Sequence, residues 1–127
     1  MGFYQFKQQQ TFNQPIEKLW EFISNPKNLK EITPDYMGFD ITSEGISDEM
    51  YKGMIISYKV SPVLGIKTTW VTEITHVKDM EYFVDEQRFG PYALWHHQHH
   101  FEAEAGGVKM TDTIHYAIGM GILGRIA

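Results

Sequence analysis

The strongest constraint in this chain is a pair of long alternating segments near its C-terminal end, residues 92–104 and 107–118, joined by Ala105-Gly106-Gly107. Successive side chains of a β-strand point to opposite faces, so each segment sorts its residues into two sets. In the first, Trp95, His97, His99 and Phe101 share one face, while His96, Gln98, His100 and Glu102 share the other. In the second, Met110, Asp112, Ile114 and Tyr116 form the more apolar face. A tight turn makes the two an antiparallel hairpin, and apolar faces that must be buried together specify its register. With the turn at Ala105-Gly106, Phe101 stands opposite Met110 and His99 opposite Asp112.

The same alternation recurs upstream. Segments near 38–44, 53–60, 67–78 and 82–89 read as strands, with turn signals at Pro62 to Gly65 and at Gly90-Pro91. A hairpin through Gly90-Pro91 places Asp85 opposite His97 and Gln87 opposite Trp95, and one between 53–60 and 67–78 places Tyr58 opposite Trp70. Residues 3–12 also read as a strand, with Tyr4, Phe6 and Phe12 on one face and Lys7 and Gln9 on the other; Gln8 and Gln10 spoil the pattern. Pro15, read as the first helical residue, then opens a helix in which Ile16, Leu19, Trp20 and Ile23 have helical spacing. Asn25-Pro26 opens a second short helix, carrying Leu29 and Ile32 and stopped by Pro34. One strand, two short helices and a run of antiparallel strands make an α+β chain, with the helices on one face of a curved sheet.

Length and composition bound the function. The 127 residues suit a single domain, 1–127, and 43% apolar content supports a real core. Sixteen acidic residues against eleven basic ones argue against a nucleic-acid partner. The absence of cysteine excludes disulfides, thiol catalysis and thiolate metal sites, and it fits a cytoplasmic location. MGFYQFKQQQ has no basic stretch followed by an apolar one, so no signal peptide is expected, and no apolar run is long enough for membrane insertion. No GxSxG, phosphate loop or HExxH is present.

Four of the six histidines fall at His96, His97, His99 and His100. On a strand the cluster splits: His96 and His100 face solvent, whereas His97 and His99 point inward with Asp85, Gln87 and Asp112. Inward polar groups need partners. Several uses stay open. His–Asp pairs can lock strand register, or form the polar floor of an otherwise apolar pocket. His97 or His99 can act as a base oriented by Asp85 or Asp112. His-x-His with nearby carboxylates can hold a cation, but no fixed ligand spacing extends beyond it, so neither metal nor cofactor is expected. Met37, Met50, Met54, Met80, Met110 and Met120 are expected as core filling rather than pocket wall. Pro62-Val63-Leu64-Gly65 is read either as a mobile loop at a cavity mouth or as an ordinary connection.

WVTEITHVKDMEYFVDEQRFGPYALWHHQHHFE, followed by GGVKMTDTIHYAI and GILGRIA, resembles the START-like (SRPBCC) superfamily. The nearest branch is the bacterial polyketide cyclase/dehydrase and lipid-transport group. PIEKLWEFISNPKNLKEITP also matches, so the resemblance covers essentially the whole chain. It implies a helix-grip fold: a curved seven-stranded antiparallel sheet around a hydrophobic cavity. It further implies binding of a lipid, quinone or polyketide-like molecule, with Trp70, Asp85, Gln87, Trp95, His97, His99, Phe101 and Asp112 carried over. Tyr58 and Tyr116 join them from the inner faces. Two alternatives remain: a cyclase or dehydratase using an inward His–Asp pair, and a regulatory protein with a vestigial cavity. The chain departs from the family at GMGILGRIA, where a long C-terminal helix should begin and is absent or cut short. A sheet lacking that cover is expected to form a homodimer through the exposed face or to belong to a longer protein. Gly119, Gly121 and Gly124 make ordering of the tail costly.

Overall fold

The computed structural model describes residues 2–32, 38–63 and 66–119. Its strands are β1 (Tyr4–Phe12), β2 (Asp40–Ile41), β3 (Met54–Val63), β4 (Ile66–Lys78), β5 (Tyr82–Phe89), β6 (Tyr92–Glu104) and β7 (Gly107–Ile118). Between β1 and β2 lie helix α1 (Ile16–Ile23), a 3-10 turn (Pro26–Asn28) and helix α2 (Leu29–Ile32). All seven strands join one antiparallel sheet in the order β1-β7-β6-β5-β4-β3-β2. From β2 to β7 each strand neighbours the next in sequence, and β1 alone crosses to the far edge to pair with β7.

Helix α1 positions everything that follows. Pro15 stands one residue before it, in extended conformation (φ −60°, ψ 145°), rather than in its first turn. Its carbonyl accepts the Leu19 N–H at 3.1 Å, so the proline still starts the helix. Leu19, Trp20 and Ile23 are buried on one stripe, as helical spacing requires. The Trp20 ring meets Phe83 edge-on at 6.0 Å and Phe101 at 5.2 Å, which pins α1 to the inner face of β5 and β6. Asn25 Oδ1 accepts the Lys27 N–H at 3.0 Å and caps the next turn, and Pro26 is fully buried.

The inner face carries two apolar clusters. Under α1, Trp20 packs with Met54, Ile56, Ile74, Phe83, Phe101 and Val108. Farther along the sheet, Phe39, Val60 and Trp70 pack with Tyr58, Tyr92 and Trp95. Met50, Met54 and Met110 are core residues and Met80 packs against them. The expectations for Met37, Met120, Pro34, the Leu64-Gly65 connection and the last glycines past Gly119 concern positions outside the described residues.

Register follows the inward pattern. Phe101 faces Met110, His99 faces Asp112, Asp85 faces His97 and Tyr58 faces Trp70. Gln87 does not face Trp95. The β5–β6 pairing ends at Glu86 and His96, and the Gln87 amide instead grips the Tyr92 backbone, donating to its carbonyl at 2.6 Å and accepting its N–H at 3.0 Å. Pro91 in that turn has no N–H to offer the ladder, and a bulge follows between Tyr92 and Leu94. Strand β2 is also shorter than the alternation over 38–44 suggests. Beyond Ile41 the Ser43 hydroxyl takes the Ser57 N–H at 2.6 Å, so a side chain replaces the ladder bond. Among the described residues no helix follows β7, and none is long and apolar enough to cross a membrane.

Candidate functional site

Strands β5, β6 and β7 bring Asp85, His97, His99 and Asp112 together on the inner face. The hydrogen bonds run diagonally across the register. His97 Nε2 donates to Asp112 Oδ1 at 2.9 Å, and His99 Nε2 donates to Asp85 Oδ2 at 2.6 Å. His99 Nδ1 also reaches Asp112 Oδ1 at 3.1 Å, whereas His97 Nδ1 stays 3.9 Å from Asp85 Oδ2. The two imidazoles stack with centroids 3.6 Å apart, and His99 stacks on Phe83 at 4.0 Å. All four side chains are 12–18% exposed.

This arrangement sets the charges. Both His99 nitrogens face carboxylate oxygens, which accept only, so both carry protons. Burial works against that cation, but the hydrogen bonds to Asp112 and Asp85 outweigh it and raise His99 to about 9. Burial likewise opposes the Asp112 carboxylate, and the bonds from His97 and His99 win, holding it well below its usual range. Burial pushes the Tyr58 phenol up, with the negative charge of Asp85 adding to the effect.

The quartet borders a groove of about 750 Å³. His97, His99, Met110, Asp112 and Ile114 form its floor. Strand β1 supplies one wall through Phe6, Gln8, Gln10 and Phe12, with Gln14 beyond it, and α1 supplies the other through Lys18, Leu19, Phe22 and Ile23. Register explains the β1 wall: Phe6 faces Ile114, Gln8 faces Asp112, Gln10 faces Met110 and Phe12 faces Val108. The two glutamines that spoil the amphipathic pattern thus share the inner face with the phenylalanines.

Of the residues selected from sequence, His97, His99 and Asp112 line this groove, and Asp85 closes the quartet beside them. Phe101 lies beneath Trp20 as core. Tyr58, Trp70, Trp95 and Tyr116 belong to an aromatic group beside the quartet, linked by ring contacts of 5.2 Å (Trp70–Trp95) and 6.2 Å (Tyr58–Trp70, Trp95–Tyr116), with the Trp95 ring meeting His97 edge-on at 6.4 Å. Their polar atoms are partly spoken for: Trp70 Nε1 donates to Thr72 Oγ1 at 3.0 Å, and the Tyr58 hydroxyl lies 3.1 Å from the same oxygen. Gln87 closes a hairpin. Phe6, Gln8, Gln10, Lys18 and Phe22 were not selected. The available signal was the pair of polar residues on an otherwise apolar strand face.

Asp85, His97 and His99 each offer one ligand atom, all within 4.8 Å of one another, so the donor set suits a cation. A cation there would have to displace protons that now sit in hydrogen bonds.

A curved antiparallel sheet of seven strands gripping a short helix is the helix-grip fold of the α+β class. Solved structures share it across nearly the whole chain. Protein CV1439 from Chromobacterium violaceum superposes with a TM-score of 0.73 at 11% identity, covering 91% of this chain and 81% of its own. Protein Ms6760 from Mycobacterium smegmatis gives 0.69 at 19% identity, covering 96% and 78%. Major latex-like protein 151 from Panax ginseng gives 0.69 at 13%, covering 94% and 83%. No family model and no curated protein matches the sequence. Likeness at such identity carries the fold and does not single out the polyketide cyclase branch.

Proposed function

We propose that this protein binds a small hydrophobic or amphipathic molecule in the groove beneath its curved sheet. The observation that carries this reading is the groove itself: about 750 Å³ between β1 and α1, with apolar side chains on both walls interrupted by a few polar ones, and a charged His–Asp cluster on its floor. Ligand pockets characteristically combine apolar walls with a few placed polar groups. A vestigial cavity would instead have collapsed.

Binding ranks ahead of catalysis because of how the quartet is bonded. A general base needs a free lone pair near neutral pH; both His99 nitrogens are committed to carboxylates, which leaves His97, whose Nδ1 stays 3.9 Å from Asp85, as the one quartet group a catalytic reading could use. The candidates are a lipid, a quinone or a polyketide-like molecule, each of which has the apolar body this lining calls for. Expected in thermal-shift measurements is a rise in melting temperature with fatty acids, quinones or aromatic polyketides, because a ligand that binds only the folded state stabilises it. Folded protein that is stabilised by none of these classes would overturn the proposal. A homodimer through the open side of the sheet belongs to the same reading, since Tyr4 and Phe6 on the free edge strand are 51% and 49% exposed. Light scattering showing a monomer at every concentration would remove it.

A further inference from the structure

The groove's polar atoms are unevenly distributed, and the asymmetry selects a ligand. On the floor, the N–H donors of the quartet that have partners are already used. His99 spends both on Asp85 and Asp112, and His97 spends Nε2 on Asp112. What remains on Asp112 is acceptor capacity. Asp112 Oδ1 takes both histidine bonds, while its Oδ2 takes no hydrogen bond among the described residues. A carboxylate has room for about four such bonds in all. Gln8 stands opposite Asp112 across the β1–β7 pair, and its amide is likewise without a partner among the described residues. Asp112 Oδ2 therefore welcomes a donor, and the Gln8 carbonyl can accept from the same group.

The α1 wall is the opposite. Lys18 lines the groove from an exposed position, and its ammonium forms no ion pair among the described residues. Apolar groups fill the space between: Phe6, Phe12, Phe22, Ile23 and Ile114. Along β1 the lining runs from Gln8, opposite Asp112, to Phe12 at the end nearer α1, on the order of 13 Å at the strand's rise per residue. That is the reach of a medium-chain lipid.

We infer that the groove takes an elongated apolar molecule with a hydroxyl or phenol at one end and a carboxylate at the other, the hydroxyl donating to Asp112 beside Gln8 and the carboxylate meeting Lys18. The inference rests on the binding function proposed above and adds ligand class and orientation to it.

Four matched probes test it by calorimetry: ω-hydroxydodecanoic acid, dodecanoic acid, dodecanol and methyl dodecanoate. The hydroxy acid binds tightest, and removing either polar end weakens binding about tenfold, the usual worth of one hydrogen bond to a charged group. Lys18→Met keeps the apolar stem. It weakens the two acids about tenfold and leaves dodecanol unchanged. Asp112→Asn offers an amide in place of the carboxylate and abolishes the advantage of the hydroxy acid over the plain acid. If that variant does not fold, Gln8→Met reads the same end, reducing the advantage of the hydroxy acid without touching the quartet. Equal affinity for all four probes, or tighter binding of the plain acid than of the hydroxy acid, overturns the inference while leaving groove binding intact. Failure of all four, the uncharged ester included, to bind folded protein overturns this inference, and the binding function falls with it when quinones and aromatic polyketides fail as well.

Discussion

Two pairs of histidines on one strand show how completely the face of a sheet decides chemistry. His97 and His99 point inward and meet Asp112 and Asp85 in a nearly closed cluster of stacked rings and diagonal bonds. His96 and His100, one residue away from them, point outward. His96 Nδ1 lies 2.6 Å from Glu86 Oε2, and both side chains are 27% exposed, which makes His96 less solvated than expected for the outer face. His100 Nε2 lies 3.1 Å from Gln98 Oε1 in an exposed position. The distances are alike in the two pairs; the surroundings are not. In the outer pair water competes for every bond. In the inner pair loss of one partner strands a charge that water reaches poorly.

The largest expected effect comes from breaking the inner cluster. His99→Ala removes the group that hydrogen-bonds both carboxylates, leaving Asp85 without its short bond and Asp112 bonded to His97. Breaking a buried ion pair by deleting one partner typically costs about 3–5 kcal/mol, and deleting the ring also opens space against Phe83. Urea denaturation at pH 6 should show a loss in that range. A loss under about 1 kcal/mol would place the inner cluster on the same footing as a surface pair and end the contrast.

Next in size is a pH dependence. His99 is raised to about 9 in the folded protein from an ordinary value of 6.5. A raised folded pKa means the folded state binds the proton more tightly, so the contribution is fully present below about 6.5 and is lost as pH rises to about 9. Asp112 has the opposite sign: its folded pKa is depressed from 3.8, so its contribution is present above that value and is lost as pH falls. The cluster is therefore strongest in a mildly acidic window. The decline from pH 6.5 to 9 should reach about 3 kcal/mol at most. Melts across that range, compared with His99→Ala, test it: a variant that keeps the full decline would assign it to another group.

Much of this arrangement was legible in the sequence, and the reason is periodicity. Alternation over 92–104 and 107–118, together with a two-residue turn, left only one register that buried both apolar faces, so His99–Asp112 and Phe101–Met110 followed. Gln87 departs from the expected pairing because alternation gives the face of a residue and not the point at which two strands part. At a turn containing Pro91 the ladder ends early, and a side chain takes its place. The groove was the harder part. Its floor came from strands with clear signals, but one wall is β1, whose Gln8 and Gln10 read as noise in an amphipathic pattern. Polar residues on an inner face are a departure from good core design, and such departures concentrate where a protein has work to do. The other wall depends on where α1 lies against the sheet, which no local pattern specifies. The aromatic residues Tyr58, Trp70, Trp95 and Tyr116 were chosen as inward and large. They face inward and pack against one another beside the quartet, outside the lining of the groove.

The smallest expected effect belongs to the outer pair. After His96→Gln, Glu86 still has Arg88, whose Nη1 lies 3.0 Å from its Oε1, and Arg88 in turn holds Glu73 at 2.8 Å. No carboxylate is stranded, and water solvates whatever the imidazole leaves. Exposed ion pairs are worth about 0–1 kcal/mol and weaken as salt screens them. His96→Gln should therefore lower stability by no more than about 1 kcal/mol in dilute buffer, with the difference shrinking in molar salt. His100→Gln, losing only an exposed bond to Gln98 and an oblique ring contact with Tyr82 at 5.6 Å, should change it by less than about 0.5 kcal/mol. Paired denaturation curves at low and high salt read both. A loss for His96→Gln that persists unchanged in high salt would mean that the outer carboxylate is sheltered from solvent as the inner ones are, and the face of the strand would then no longer explain the difference.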